Sequence, residues 1–149
     1  MKAKYKHTNI VTADWRKLAG FYRHVFGCEP VPPERVAVGE WVERCTGVPG
    51  AKVRGVHLRL PVYDENGLTL EIFQYNKSGQ RPATAINRPG LAHLASKVDN
   101  VEAAREEVIA AGGTCVGELV TVEIRNAGTI TFIYMTDPEG NIIELQKWT

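Results

Sequence analysis

An α+β fold built from two βαβββ modules is predicted by two patterns that each occur twice in the 149-residue sequence. The first pattern is a short apolar strand followed by an amphipathic helix, and it begins at His7 and again at His93. The second is a D-x-x-G turn followed by a strand with a glutamate in its middle, and it begins at Asp64 and again at Asp137. The same order of patterns in both halves indicates a repeated structural unit.

The strand–helix pattern has matching local signals in both copies. Residues near 4–11 and 91–98 are rich in apolar or β-branched side chains, which predicts strands. Asp14 and Asn100 follow seven residues after the two histidines and are good helix N-caps. Apolar residues then recur at helical spacing, and a glycine follows thirteen residues after each cap, where helices commonly end.

A strand that carries a glutamate closes each module. Residues 64–67 and 137–140 have the D-x-x-G composition of tight turns, in which glycine adopts a backbone conformation costly for other residues. Glu71 and Glu144 lie seven residues after the two aspartates. Because side chains alternate across a strand, the apolar neighbours of each glutamate should face a helix while the glutamate faces the opposite side.

The remaining segments complete the two modules. Apolar and β-branched runs predict further strands near 53–61 and 129–136. Residues 29–52 contain several prolines and glycines, and we expect them to be irregular apart from a helical turn around 40–45.

A single domain over 1–149 is the predicted organisation. Module one covers about 4–75 and module two about 90–148, and the polar, Gly- and Pro-containing segment at about 76–89 is the predicted linker. Each module is too small to cover the face of its own sheet, so the two should share one core.

Composition excludes several classes of protein. A net charge of +1 does not favour a nucleic-acid or anionic-membrane partner, and 44% hydrophobic residues argue against disorder. No apolar run approaches the roughly 20 residues of a membrane span, and the N-terminus lacks the apolar stretch of a signal peptide. We therefore expect a cytoplasmic protein with reduced cysteines. They are Cys28, Cys45 and Cys115.

Two histidines and two glutamates form a candidate metal site. A mid-strand carboxylate between apolar neighbours is costly to bury without a partner, yet Glu71 and Glu144 occur at equivalent positions. Each module also opens with one histidine on a strand, His7 or His93. A lone strand glutamate or histidine is usually a surface or packing residue, but four in a repeated register predict one divalent metal ion. Two imidazoles and two carboxylates suit Zn, Ni, Co, Mn or Fe.

The same alternation predicts which other side chains share a face with the metal ligands. The expected lining is mixed and partly aromatic, which suits a small organic substrate. His57 lies on the predicted strand 53–61 and is a weaker candidate for this pocket; packing in the core or at the surface is the favoured expectation. The expected lining residues are Asn9, Phe73, Tyr75, Ala95, Lys97, Gln146 and Trp148.

Four segments of the chain resemble the vicinal oxygen chelate superfamily. They are HTNIVTADWRKLAGFYRHVFG, GLTLEIFQY, GLAHLASKVDNVEAAREEVIAAGG and DPEGNIIELQKW. The superfamily includes glyoxalase I, methylmalonyl-CoA epimerase, extradiol dioxygenases, and fosfomycin- and bleomycin-resistance proteins. The resemblance implies the glyoxalase/bleomycin-resistance/dioxygenase fold, in which βαβββ modules form a curled mixed sheet around a metal-binding cleft, often completed as a homodimer.

The resemblance also implies an activity. The ligand positions of the family fall on His7, Glu71, His93 and Glu144, and a filled fourth position at Glu71 favours the lyase, isomerase and epimerase branch. The implied reaction is proton transfer next to a carbonyl of a small-molecule substrate. By resemblance to glyoxalase I, Glu144 is the expected catalytic base and Glu71 its counterpart.

Two departures bear on the substrate. Val11 stands where glyoxalase I has an arginine that helps bind the glutathione carboxylate, and Tyr75 stands where it has an asparagine. The resemblance therefore does not extend to glutathione dependence. The epimerase has glutamine where this chain has Glu71.

Two alternatives remain open on the sequence. One is a non-catalytic drug-binding or resistance protein of the bleomycin-resistance type, with Phe73, Tyr75 and Trp148 as aromatic contacts. The other is an Fe(II) extradiol-type dioxygenase that uses His7, His93 and Glu144, with Glu71 outside the metal's ligand set.

Overall fold

The computed structural model describes residues 1–65 and 67–149 and divides them into two compact units, Met1–Arg81 and Pro82–Thr149. Each unit contains one βαβββ module with a sheet of its own, which confirms the predicted α+β fold. The boundary between the units falls within 76–89. That the whole chain forms a single domain stays a prediction.

Unit one, Met1–Arg81, is a four-stranded mixed sheet with a long helix on one face. The strand order is β1-β4-β3-β2, with β1 parallel to β4 and the other pairs antiparallel. Its elements are β1 (His7–Val11), α1 (Trp15–Phe26), β2 (Glu29–Ala37), α2 (Glu40–Thr46), β3 (Val53–Arg59) and β4 (Thr69–Tyr75).

Helix α1 begins and ends at the residues that the sequence indicates. The Asp14 carboxylate accepts hydrogen bonds from the backbone N–H groups of Arg16 and Lys17, which satisfies open donors of the first turn. Gly27 ends the helix in the left-handed conformation, with φ 65°. The apolar side of the helix packs on β3 and β4. The fully buried residues of this layer include Leu18, Leu58 and Ile72.

The expectation that 29–52 is irregular is wrong for its first part, because Glu29–Ala37 forms β2. This strand lies at the edge of the sheet and pairs only with β3, so its prolines need not donate to a second neighbour. The register shifts between Val31 and Arg35, the stretch that contains the two adjacent prolines Pro32 and Pro33. The predicted helical turn is confirmed as α2, which ends at Gly47 with φ 69°.

Unit two, Pro82–Thr149, repeats this arrangement with a broken edge strand. The order is β5-β9-β8-β6, and β7 also pairs with β8, so β6 and β7 share the same edge of β8. Strand β5 is parallel to β9. The elements are β5 (Leu94–Lys97), α3 (Val101–Ala110), β6 (Thr114–Cys115), β7 (Val120–Ile124), β8 (Gly128–Thr136) and β9 (Ile142–Trp148).

The core of unit two lies between α3 and the strands β8 and β9. Asn100 caps α3 through a hydrogen bond from the backbone N–H of Ala103. Strand β5 is shorter than the predicted 91–98, and His93 lies immediately before it. The fully buried core side chains include Val101, Val108, Ile133, Ile143 and Leu145.

The two D-x-x-G segments are unequally described. The segment 64–67 includes Asn66, which lies outside the described residues; within it, the backbone N–H of Gly67 donates to the carbonyl of Asp64 at 2.9 Å. In the second segment, the buried Asp137 carboxylate accepts from the backbone N–H groups of Glu139 and Asn141, each at 2.9 Å. Among the helices of the described residues, none is long and apolar enough to span a membrane.

Candidate functional site

Glu71 is a buried carboxylate in the middle of β4, on the face of the sheet opposite α1. It is 9% exposed, and both its neighbours along the strand, Leu70 and Ile72, are buried on the α1 side. One carboxylate oxygen, Oε1, lies 3.3 Å from Nδ1 of His7 and 3.2 Å from Nε2 of His57. Two imidazoles from two different strands therefore share a single oxygen of Glu71.

Strand pairing explains why these groups meet. Glu71 is directly opposite Asn9 on β1 and His57 on β3, so the three side chains form one row across the sheet. The amide of Asn9 lies 3.5 Å from Glu71 Oε2 and donates to the Glu71 carbonyl at 3.3 Å. His7 is opposite Thr69, two residues along the strand and on the same face, which brings its ring diagonally to the carboxylate.

Burial lowers the pKa of His57. Glu71 opposes this by favouring the protonated ring, while the positive charges of Arg35, His7 and Lys6 lower the pKa further. A neutral imidazole has one nitrogen that donates a hydrogen bond and one that accepts. In its neutral form, His57 can donate to Glu71 through Nε2 and accept a hydrogen bond through its other ring nitrogen.

Glu144 occupies the equivalent place in unit two. It is 8% exposed and lies in the middle of β9, and its Oε2 is 2.9 Å from Nε2 of His93. Tyr134 on β8 is directly opposite Glu144, and the ring of Tyr134 lies 5.1 Å from that of His93. Burial raises the pKa of Tyr134, and the charge of Glu144 and a hydrogen bond to it raise this pKa further.

The donor atoms of both units fit a divalent cation in chemical type. Imidazole nitrogens and carboxylate oxygens are ligands of borderline metals. The Nδ1 atom of His93 is buried and has no hydrogen-bond partner within the described part of the chain, which is a costly state for a polar atom. Among residues 1–65 and 67–149, no three His, Cys, Asp or Glu side chains are arranged around a common metal position. Each carboxylate instead contacts imidazole directly.

The other expected lining residues of unit one share the Glu71 face but differ in their surroundings. Asn9 contacts Glu71, as described above. Phe73 and Tyr75 pack against the buried cluster of Val42 and Val53, which α2 helps to form. The ring of Phe73 also lies 5.7 Å from that of His57. Of the two aromatic residues, Phe73 is thus the one next to the carboxylate site.

The expected lining residues of unit two lie along one face of β5 and β9. Ala95 pairs with Glu144, and Lys97 pairs with Gln146, so the four side chains form two adjacent rows. The indole N–H of Trp148 donates to Oε1 of Gln146 at 2.7 Å, and the Trp148 side chain is exposed.

The sequence-based prediction misses Tyr134 as a site neighbour and ranks His57 only as a weaker pocket candidate. The signal for Tyr134 was present, because a hairpin centred on the turn 137–140 places Tyr134 opposite Glu144, five residues to either side of Glu139. For His57 the connection between β3 and β4 is longer, and its length does not determine the register.

Comparison with solved structures finds the same fold in several proteins. A glyoxalase family protein from Bacillus cereus is 17% identical with a TM-score of 0.81, over 99% of this chain and 95% of that one. The fosfomycin resistance protein FosX from Listeria monocytogenes, complexed with Mn(II) and sulfate ion, is 15% identical with a TM-score of 0.56, over 100% and 95% of the chains. At these identities the likeness shows the fold alone.

A search of curated proteins finds no match to the chain. A family model, in contrast, matches residues 4–145, which is nearly the whole sequence. The matched range includes His7, His57, Glu71, His93 and Glu144. The chain belongs to the Glyoxalase/Bleomycin resistance protein/Dioxygenase superfamily.

Proposed function

We propose that the protein is a metal-dependent, glyoxalase I-like lyase, isomerase or epimerase that moves a proton next to a carbonyl of a small organic substrate. The observation that carries the proposal is the buried carboxylate in contact with imidazole, which occurs at the equivalent strand position in both units. Burying two carboxylates costs free energy, so their presence at matching positions favours a functional role.

The proposed metal ligands are His7, Glu71, His93 and Glu144, for one divalent ion among Zn, Ni, Co, Mn and Fe. Their donor chemistry and the buried, unpartnered Nδ1 of His93 support this assignment. The Mn(II) in the FosX structure is a further supporting point from the same fold. When bound, such an ion acts as a Lewis acid that stabilises negative charge developing on substrate oxygens.

Glu144 is the proposed base, and Glu71 is its counterpart. Glu71 is contacted by His7, His57 and Asn9, so three side chains restrain it. Glu144 is contacted by His93 and Tyr134. The carboxylate with fewer side-chain contacts is the better candidate to take a proton from the substrate and return it, because a general base must come within hydrogen-bond reach of that proton.

Residues on the two site faces are the proposed substrate contacts. In unit one they are Asn9, Phe73 and Tyr75. In unit two, the mixed lining can offer apolar contact and hydrogen bonds to a small organic molecule. Its members are Lys97, Gln146 and Trp148. A homodimer, as expected from the family, is also part of the proposal, and size-exclusion chromatography with light scattering measures it.

Metal analysis of the purified protein is the primary test. We expect about one divalent ion per chain, and we expect Glu144→Gln to weaken metal binding by at least about tenfold in a calorimetric titration. Glu123→Gln is the matched control, since Glu123 is an exposed strand residue of the same unit. If the wild-type protein bound no divalent metal, or if both variants bound it equally well, the proposal would be wrong.

Metal identity separates the proposed chemistry from oxygenase chemistry. Protein loaded in turn with Zn, Ni, Mn and Fe(II) is incubated with α-hydroxycarbonyl and thioester compounds in deuterated water. Deuterium incorporation at the carbon next to the carbonyl is the expected result with a redox-inert ion such as Zn. Oxygen uptake confined to Fe(II)-loaded protein would instead identify a dioxygenase.

A further inference from the structure

Two arginines lie on the same face of the unit-one sheet as Glu71 and His57. Alternation along β3 puts Arg59 on the His57 face, about 7 Å along the strand from His57. Arg35 on β2 is directly opposite Gly55, the neighbour of His57 on that face in the other direction. Both arginines are half-buried. The row of imidazole and carboxylate therefore has an arginine residue on either side of it along the strands.

Neither guanidinium has an anionic partner in the described part of the chain. Arg16 and Arg105, in contrast, form ion pairs with Glu34 and Glu106. Arg35 donates to the backbone carbonyl of Pro33. The Nε of Arg59 is buried and has no hydrogen-bond partner among residues 1–65 and 67–149. A buried, unpartnered N–H beside a charged site is a rare state and favours an acceptor from outside the chain.

The acidic side chains on this face do not neutralise the two arginines. Glu29 is opposite Arg59 in the register, but it is exposed and forms no ion pair with Arg59 within residues 1–65 and 67–149. Glu71 contacts imidazoles rather than arginine.

We infer that the substrate carries an oxyanion, a carboxylate or a phosphate-type group, that binds to Arg59 with support from Arg35 on the Glu71 face of unit one. A guanidinium offers parallel N–H donors that match two oxygens of either group. The oxyanion would supply the acceptor that Nε of Arg59 lacks. That the bound anion is part of the substrate rests on the proposed function. That Arg59 binds an anion rests only on the burial and hydrogen bonding of the two arginines.

Binding of two simple anions to metal-free protein tests the inference. After removal of metal with a chelator, inorganic phosphate and malonate are titrated separately into the protein by calorimetry. The anion that binds more tightly indicates whether the substrate group is of the phosphate or the carboxylate type. We expect saturable binding to the wild-type protein and a loss of at least about tenfold in affinity for Arg59→Met. Arg59→Lys should lie between them, because lysine keeps the charge but loses the planar fork.

Arg54→Met is the matched control, since Arg54 lies on the same strand but is exposed on the opposite face. It should bind the anions as the wild-type protein does. Circular dichroism checks that both variants fold, and methionine retains most of the apolar stem of Arg59. Equal weakening by Arg54→Met and Arg59→Met, or no saturable binding of either anion to wild-type protein, would overturn the inference.

Metal binding by the same variants separates this inference from the proposed function. Arg59→Met should bind Zn with wild-type affinity in a buffer free of phosphate and malonate. If the wild-type protein bound no metal but bound anions through Arg59, the proposed function would be wrong and the anion site would be supported. If the wild-type protein bound metal normally but did not bind anions through Arg59, the anion site would be wrong and the proposed function would be supported.

Discussion

His57 and Tyr134 occupy equivalent positions in the two units: each lies on the strand antiparallel to the glutamate strand, directly opposite the buried glutamate. His57 faces Glu71, and Tyr134 faces Glu144. The two partners differ in chemistry, because the neutral imidazole can accept or donate a proton whereas the phenol donates a hydrogen bond. The repeat therefore provides two similar carboxylates, each with a different neighbour on the adjacent strand.

Replacing His57 should weaken metal binding without unfolding the protein. His57 Nε2 is 3.2 Å from Glu71 Oε1 and orients that carboxylate. Hydrogen-bonding partners of metal ligands typically contribute 10–100-fold to affinity, so we expect a loss of roughly tenfold for His57→Phe in a Zn competition titration. Phenylalanine retains the contact with the Phe73 ring, which limits the loss of packing.

Two further variants control this experiment. His57→Gln keeps a side chain that can donate to Glu71, so it should retain most of the affinity. His24→Gln changes an exposed histidine on α1 and should have no effect. Wild-type affinity in His57→Phe would show that Glu71 needs no support from β3.

Asp137 should contribute far more to stability than its repeat-related counterpart Asp64. The Asp137 side chain is 1% exposed and accepts hydrogen bonds from two backbone N–H groups and from the Asn141 amide. Removing a buried carboxylate that accepts several hydrogen bonds leaves donors unsatisfied, so Asp137→Ala should lower the free energy of unfolding by about 3 kcal/mol. Asp64 is exposed, and Asp64→Ala should cost less than about 1 kcal/mol.

Urea denaturation followed by circular dichroism measures both variants, with the slope of the transition compared to confirm that the unfolding reaction is the same. Equal costs for the two substitutions would mean that the turn at 137–140 does not depend on the buried carboxylate.

The repeat made much of this fold predictable from sequence. The caps at Asp14 and Asn100, the glycine at the end of α1 and the turn at 137–140 are short-range signals, and each appears where expected. The faces of β4 and β9 follow from alternation alone, so the sequence is sufficient to predict that Glu71 and Glu144 lie opposite the helices.

Long-range pairing limited the rest of the prediction. Strand β2 carries prolines that usually mark irregular backbone, and only its place at a sheet edge makes them acceptable. The pairing of His57 with Glu71 depends on how residues 60–68 connect β3 to β4, and a connection of that length does not specify a register. Unpartnered arginine atoms, such as Nε of Arg59, are likewise a property of the packed structure.

Two glycine-to-alanine substitutions in unit one should change stability in opposite directions. A Cβ on Gly55 would lie 2.0 Å from the Ile72 carbonyl oxygen and 2.5 Å from the Phe73 ring, so Gly55→Ala forces the backbone of β4 to move. Overpacking of this kind typically costs about 1–3 kcal/mol. A Cβ on Gly20, in the middle of α1, meets nothing within 4 Å, and Gly20→Ala should stabilise the protein by about 0.5–1 kcal/mol.

The pair is measured by thermal and urea denaturation under one set of conditions. Gly20→Ala also serves as the control for alanine substitution in this unit. A stabilised Gly55→Ala variant would contradict the close approach of β3 and β4 at this point.

Reaction with a thiol reagent should distinguish Cys28 from the other two cysteines. Cys28 is 3% exposed, and burial raises the pKa of its thiol to about 11, whereas Cys45 and Cys115 are exposed. Since the thiolate is the reactive form, two of the three thiols should react quickly with a chromogenic disulfide at pH 8, and the third only on addition of denaturant. In the double variant Cys45→Ser, Cys115→Ser, no fast phase should remain.

The same raised pKa has a consequence for stability at alkaline pH. An unfolded chain loses the Cys28 proton near pH 9, while the folded chain holds it up to about 11, so the contribution is complete below pH 9 and is lost as pH rises towards 11. Cys28→Ala should therefore flatten the decline of unfolding free energy between these two pH values, at the cost of a small cavity. Urea titrations of both proteins at pH 7.5 and 10.5 measure the difference; parallel declines would show that the Cys28 thiol is ionised in the folded protein as readily as in the unfolded one.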